Sequence, residues 1–306
     1  TLNNTGGTIT SAVVSAQAAA LTNRGGTVFA ADTVNINAAT LDNSDGTLAS
    51  NATVELTASD LHNANGLLQA SNLLSISAQR TENNSGTIQS ANIALNSQQS
   101  LNNSSGVINA QTLAIQTGAL NNSYGVLLAT SGADNALQLN GGVSLNNHNG
   151  TVASYGRNQN LSLASLSNSA GQLLHLGSGN FTLSQAGTLT NAGSIASANS
   201  LTLNASAVNN SGTLQAQQQL NVQASLNNQS GAALLANNIT VSAGADAVLC
   251  GVEHDVRAAV AAGTTLRNPD LAKAYRALAA GGVKVFYTGP MARALVDAVN
   301  RNGGAI

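Results

Sequence analysis

Few residues of this 306-residue chain have the type and spacing that catalysis requires. An amino-terminal Thr can be a nucleophile whose own amine acts as the base, and Thr1 has that position. Thr1 also begins a motif whose other copies are internal, so we predict no catalytic role for it. Cys250 and His254 lie four residues apart, but a Cys–His pair also needs an orienting group and an oxyanion pocket, which the surrounding sequence does not indicate. We interpret these two residues as part of a junction between two segments.

Metal and cofactor sites are equally unsupported by the sequence. One Cys and one His in the junction are too few ligands for a metal, and a single cysteine excludes an intrachain disulfide. Calcium-binding repeats would need Asp in each turn, whereas most turns here contain Asn or Ser. The sequence therefore predicts no catalytic, cofactor-binding or metal-binding residue. We expect the Asn residues to shape turns instead.

A short polar turn between apolar residues recurs along the chain. Residues 101–108 are one copy, and the apolar anchors that precede most turns fall about twenty residues apart. A fixed period of this length is typical of stacked coils. We count twelve anchors, at positions 2, 21, 41, 61, 81, 101, 120, 145, 166, 189, 208 and 226.

Between the turns, apolar residues alternate with polar ones, as at Leu113 and Ile115. Alternation with period two indicates strands with one buried face, and twenty residues leave no room for helical crossovers. The pattern predicts a parallel β-helix whose Leu, Ile and Val positions stack into interior rows. Twelve coils at strand spacing would form a rod of roughly 55–60 Å. Asn and Gly tolerate the left-handed backbone angles that turns need, and stacked Asn side chains can hydrogen-bond as ladders.

The composition limits the remaining classes of protein. Hydrophobic residues make up 43% of the chain, charged residues 7%, and the net charge is −2, which favours a regular fold over disorder. The net charge gives no reason to expect nucleic acid or an anionic membrane as a partner. No apolar window of about 18 residues predicts a membrane span. Because the chain opens inside a repeat, without an initiator Met or a signal peptide, we expect it to be a fragment of a longer protein.

The period loosens in two coils, which predicts loops at residues 131–135 and 177–180. Extra loops on one face of a solenoid are often where binding occurs, although an insertion can also simply be tolerated. We place any receptor contact in these two loops. Four side chains with aromatic or imidazole rings lie in the same part of the sequence: Tyr124, His148, Tyr155 and His175.

After residue 243 the character of the chain changes. Residues 1–243 carry a net charge of −4 and residues 244–306 a net charge of +2. Two helices are predicted, at 269–280 after the N-cap Asn268 and at 290–301, each starting with Pro and ending at a Gly pair. We therefore predict two domains, a β-helix at 1–243 and a helical tail at 244–306.

The repeats resemble the haemagglutinin repeats of filamentous haemagglutinin and of other two-partner secretion exoproteins. The resemblance rests on "LNNSSGVINAQTLAIQ" at 101–116 and on copies such as "VNNSGTLQAQQQLNVQA" at 208–224. It implies a right-handed β-helix, secreted or held at the bacterial surface, in an adhesin or in the stalk of a contact-dependent inhibition toxin. It implies no catalysis. The implied partners are an outer-membrane transporter for the parent protein and a receptor or glycan on a host or neighbouring cell.

The tail resembles another family. Residues 263–304 look like an internal piece of the gamma-glutamyltransferase large subunit, with a Pro-Asp-Leu-Ala helix start and Phe286-Tyr287-x-Gly289. That family uses an internal Thr, freed by self-cleavage, on glutathione-like substrates, and the matching piece contains neither that Thr nor the substrate-binding Arg. No catalytic residue is therefore transferred to this chain. An appendage of a gamma-glutamyltransferase is the alternative function. As an alternative origin, the two parts could have been joined by rearrangement, by assembly of mixed sequence or by design.

Overall fold

The computed structural model describes residues 1–242 in full, the backbone of three further strands between 246 and 267, and residues 276, 280 and 293. Arg276, Ala280 and Arg293 are helical and exposed. The two helices predicted at 269–280 and 290–301 otherwise lie outside the described residues. They stay predictions.

Strands account for most of the described chain. In chain order they are β1 (Leu2–Asn3), β2 (Thr8–Thr22), β3 (Thr27–Asp42), β4 (Thr47–Ser50), β5 (Thr53–His62), β6 (Leu67–Ala70), β7 (Leu73–Glu82), β8 (Thr87–Asn102), β9 (Val107–Asn121), β10 (Val126–Ala129), β11 (Leu137–Asn140), β12 (Ser144–Asn146), β13 (Thr151–Ser154), β14 (Gln159–Leu163), β15 (Ser165–His175), β16 (Asn180–Gln185), β17 (Thr188–Ser197), β18 (Ser200–Asn210), β19 (Thr213–Ala216), β20 (Gln219–Asn228), β21 (Ala233–Leu235), β22 (Asn238–Val241), β23 (Asp246–Leu249), β24 (Ala258–Val260) and β25 (Thr265–Arg267).

Each strand pairs in parallel with the strand one coil away. Leu48 in β4, for example, is in register with Val28 in β3 and with Leu68 in β6, twenty residues to either side. The long strands bend at corners, so one coil contributes three strand segments and one turn. The result is a parallel β-solenoid of about 12 turns. This confirms the all-β, parallel β-helix that the period predicts.

The core consists of rows of apolar side chains that run along the rod. The row through Leu48 contains one buried residue from each coil after the first, none more than 2% exposed: Val28, Leu48, Leu68, Ile88, Ile108, Leu127, Val152, Leu173, Ile195, Leu214 and Leu234. The predicted anchors form a second row, in which Thr81 replaces Leu and is also fully buried. Leu113 and Ile115 are at most 1% exposed. The predicted interior rows are therefore confirmed.

Strand pairing continues beyond residue 243, where the composition changes. β22 pairs with β24 through Ile239↔Ala258, and β20 pairs with β23 through Asn227↔Val248. β23 in turn pairs with β25. The backbone ladder thus reaches residue 267, while the division into two domains at 243 stays a prediction.

Candidate functional site

The repeated turn has one fixed geometry, which residues 103–106 illustrate. The carbonyl of Asn103 accepts the N–H of Gly106 at 3.0 Å, and Ser105, the third residue of the turn, is left-handed with φ 55°. The same third position holds Gly25, Asn65 and Tyr124, with φ between 54° and 58°. A left-handed backbone is costly for a bulky residue, so Tyr124 is the unusual occupant.

The glycine that ends most turns serves a different purpose from the one we expected. Gly106 is not left-handed; a Cβ there would overlap the backbone carbonyl oxygen of Asn83 in the preceding coil. The same overlap would occur at Gly46, Gly66 and Gly86. Close approach between coils therefore explains this Gly, and the left-handed angle belongs to the residue before it.

One asparagine per coil is buried beneath this corner, and these side chains form a continuous ladder. Asn103 Nδ2 donates to Asn122 Oδ1 at 2.8 Å and also to the carbonyls of Gly106 and Val126. Every Nδ2–Oδ1 distance in the ladder lies between 2.7 and 2.9 Å. The ladder contains Asn4, Asn23, Asn43, Asn63, Asn83, Asn103, Asn122, Asn147, Asn168, Asn191, Asn210 and Asn228.

The ladder confirms that stacked Asn side chains hydrogen-bond, and only one Asn of each neighbouring pair takes part in it. In the pair Asn102–Asn103, Asn103 is buried while Asn102 is only half-buried and contacts Glu82. The ladder residue lies two positions after each predicted anchor. Its amide is engaged within the rod, which supports a structural role for these residues.

The predicted loop at 131–135 protrudes at another corner, where it is tied to the next coil. Arg157 donates to Asp134 through Nε at 3.0 Å and Nη2 at 2.6 Å, and the backbone N–H of Asn158 donates at 3.0 Å. These hydrogen bonds, with that from the guanidinium first, lower the pKa of Asp134 to about 2. Asp134 and Arg157 are both exposed and neutralise each other.

The predicted loop at 177–180 lies at the same corner, two coils further on. Gly177 packs so closely that a Cβ would overlap the carbonyl oxygen of Gly156, and the N–H of Asn180 donates to Asn158 Oδ1 at 3.0 Å. The structure therefore connects the two predicted loops through residues 155–158. Sequence analysis did not single out that middle segment.

His175 lies inside the rod beneath this corner, 1% exposed. Its Nε2 is 2.7 Å from the carbonyl of Gly156, which only accepts, so Nε2 carries the proton. Nδ1 then accepts from Ser197 Oγ at 3.0 Å. Burial lowers the pKa of His175, whose neutral form holds residue 156 in place.

The other three rings predicted near the irregular coils lie at the surface of two corners. Tyr124 and His148 contact each other edge to face, with centroids 5.6 Å apart, at the corner of the asparagine turns. Tyr155 is 45% exposed and lies beside the loop corner. The four rings are thus divided between two corners and the core.

A groove on the sheet face between β11 and β14 escaped sequence analysis. It has a volume of about 440 Å³ and continues onto β16. Its outer lining contains amide and hydroxyl side chains, among them Asn135, Gln138, Asn140 and Asn160. The only feature of the sequence that marks the position is the stretched coil that precedes β11.

Of the other sequence candidates, the structure describes only Thr1. Thr1 is exposed at the start of the first coil, and Cys250 and His254 lie outside the described residues. Within the part of the chain that the structure describes, His, Cys, Asp and Glu side chains form no group of three that could hold a metal ion. The described residues also contain no helix long and apolar enough to span a membrane.

The comparison with protein families agrees with this geometry. The haemagglutinin repeat model matches residues 1–63 and 59–108. The same asparagine ladder and interior rows continue from the matched residues to the last coils with described side chains. Haemagglutinin repeats are typical of secreted exoproteins, consistent with a secreted or surface protein.

A second family model, gamma-glutamyltranspeptidase, matches residues 252–306. Of this segment the structure describes β24, β25 and residues 276, 280 and 293. No curated protein and no solved structure matches the chain.

Proposed function

We propose that the chain is a structural and adhesive segment of a secreted bacterial exoprotein, without catalysis of its own. The haemagglutinin repeats and the β-solenoid support a segment of a filamentous haemagglutinin-like adhesin. The observation that carries the proposal is the asparagine ladder, which stays unbroken through the irregular coils. Asn122 donates to Asn147 at 2.9 Å across a separation of 25 residues.

This arrangement suits a rod that displays a variable surface. The asparagine corner and the interior rows keep the coils in register, while the loops at another corner change length at 131–135 and 177–180. A stack of paired strands resists bending, because every coil is bonded to both neighbours. The rod would carry a binding surface away from the cell and present several weak contacts at once.

The proposal includes the route and the partners of the parent protein. An outer-membrane two-partner secretion transporter would export the chain, and a receptor or glycan on a host or neighbouring cell would bind it. An adhesin and a stalk of a contact-dependent inhibition toxin are the two forms that this proposal takes.

Adherence of chain-coated beads to cultured epithelial cells and to bacterial cells tests the proposal. We expect beads coated with the folded chain to adhere, and beads coated with the Leu113→Asp variant, whose rod is disrupted, to adhere much less. Adherence to bacteria alone would favour the toxin stalk. Equal adherence of folded, variant and uncoated beads would contradict an adhesive function.

A second candidate, an appendage of a gamma-glutamyltransferase, is favoured by the match at 252–306. Its test is the turnover of a chromogenic gamma-glutamyl substrate by the purified chain. Turnover that disappears in a Thr1→Ala variant would replace the adhesive proposal by the enzymatic one. Turnover no faster than in buffer is the result that we expect.

Limited proteolysis tests the proposed division at residue 243. A resistant product that covers residues 1–243, with rapid loss of 244–306, is expected for two separate domains. Equal resistance of both parts would contradict the division and would mean that the tail belongs to the rod, as the pairing of β22 with β24 allows.

A further inference from the structure

The parallel ladder is interrupted on one face of the rod. β11 pairs with β9 through Leu137↔Leu113, and β14 pairs with β16 through Leu161↔Leu183. Among the described strands, no register pair joins β11 to β14, although they belong to adjacent coils. The other two faces of the same coils do pair, β10 with β13 and β12 with β15.

The structure closes both ends of this interruption. At one end the side chain of Gln159 replaces a backbone partner, because its Oε1 accepts from the N–H of Leu137 at 3.3 Å and its Nε2 donates to the Leu137 carbonyl at 2.6 Å. At the other end backbone bonding resumes, with the N–H of Ala164 donating to the carbonyl of Val143 at 2.9 Å. Gln159 is 1% exposed. The opening is therefore a bounded groove rather than a frayed edge.

The groove has polar walls and an apolar floor. Its outward side chains are Gln138, Asn140, Asn160, Ser162 and Thr182. Buried Leu139 and Leu161 line it from the interior side.

The lining contains no charged residue. The nearby Asp134 and Arg157 form an ion pair with each other. Carboxamides and hydroxyls both donate and accept hydrogen bonds, so the groove offers a dense, uncharged array of both kinds of group.

We propose that this groove binds an uncharged saccharide. A sugar ring presents hydroxyls that donate and accept, which match carboxamides, and apolar C–H faces, which match the leucine floor. The volume of about 440 Å³ is of the size that encloses a small ligand. Sulfated or sialylated sugars would find no unpaired cation in the lining. The inference rests on the adhesive function proposed above and assigns it a ligand class and a place.

The same sheet face supplies a matched control in earlier coils. Gln138 and Asn140 occupy the same two outward rows as Asn35 and Asn37, five coils earlier. Asn35 and Asn37 are exposed, and there the strands on both sides are paired without interruption. Replacing either pair by Ala removes two exposed amides from the same face. Only one of the two pairs lines the groove.

The experiment measures binding of the full chain to an array of neutral hexose and N-acetylhexosamine oligomers, with sulfated and sialylated oligomers of matched length. We expect binding to a subset of the neutral oligomers. The double variant Gln138→Ala/Asn140→Ala should weaken it about tenfold or more, as expected for two lost hydrogen bonds. Asn35→Ala/Asn37→Ala should leave it unchanged.

Three results would overturn the inference: no binding to neutral oligomers, preference for the anionic oligomers, or equal weakening by both double variants. Bead adherence separates this failure from failure of the adhesive function. Beads that adhere while the array stays silent refute only the saccharide groove, and adherence lost on protease treatment of the cells would indicate a protein partner instead. Beads that adhere to no cell refute the adhesive function itself.

Discussion

The asparagine ladder makes a sharp prediction, because Asn102 and Asn103 are neighbours with opposite surroundings. Asn103 is 0% exposed; it accepts from Asn83 and donates to Asn122 and to two backbone carbonyls. Asn103→Ala would leave the buried Oδ1 of Asn122 without its donor and would create a small cavity. An unsatisfied buried polar group costs about 1–3 kcal/mol and the cavity adds to this, so we expect a loss of about 3–4 kcal/mol.

Asn102→Ala is the matched control. Its Nδ2 donates to Glu82 at 3.0 Å, and its Oδ1 accepts from Asn121 at 3.0 Å and from the backbone N–H of Ser104 at 3.2 Å. All three contacts are only partly buried, and water can replace them. We expect a loss of about 1 kcal/mol.

Two measurements compare the variants: urea denaturation followed by circular dichroism, and amide hydrogen exchange, which reports local opening in a solenoid that need not unfold in one step. Exchange should accelerate at the N–H groups of Gly106 and Gly125 in Asn103→Ala and stay unchanged in the last coils. Equal destabilisation by the two substitutions would refute the claim that the buried ladder contributes more to stability than the half-buried asparagines beside it.

Three further substitutions test the core, the turn and the buried histidine. Leu113→Asp buries an unpaired charge and should lower the free energy of unfolding, measured by urea denaturation, by about 4 kcal/mol or more. Ala114→Asp, on the outer face of the same strand, should change it by about 0.5–1 kcal/mol. Similar losses in the two variants would disprove the interior row. Gly66→Ala forces a Cβ onto a carbonyl oxygen of the preceding coil and should lower the free energy of unfolding by about 3 kcal/mol. Gly132→Ala, with open space around the residue, should be nearly neutral. A Gly66→Ala protein as stable as the unaltered chain would contradict the close approach. Because burial lowers the pKa of His175, the unfolded chain binds the proton more readily, and stability should be full above about pH 6.5 and fall as the pH drops below it. Urea midpoints at pH 7.5 and pH 5.5 should differ less in His175→Gln than in the unaltered chain, and an unchanged difference would exclude His175 as the cause.

The repeat period and the alternation of apolar residues were sufficient to predict the fold. Leu101, Leu113 and Ile115 were assigned to interior rows because a strand exposes alternate faces, and a fixed period forces equivalent residues to stack. Both rules are local or periodic and need no knowledge of distant contacts. The stretched coil at 131–135 was found for the same reason.

Other features depended on contacts between coils. The sequence presents Asn102 and Asn103 as equivalent, and only the packed corner separates the buried amide from the half-buried one. It likewise presents Gly106 as a flexible turn residue, whereas the carbonyl of the preceding coil excludes a side chain there.

The groove is a feature that could not be predicted from the sequence. The order of residues determined the coil, its strands and the position of the irregular turns, because these follow from period and local backbone preference. Whether adjacent strands then meet was decided by the tertiary structure. β11 and β14 have ordinary strand sequences, yet side chains take the place of backbone partners between them. Gln159 bonds to both backbone groups of Leu137, and Asn135 Oδ1 accepts from the N–H of Asn160. The groove of about 440 Å³ lies across these two strands. Its position could not be predicted, because hydrogen bonding between strands requires a spacing that only the packed coils can set.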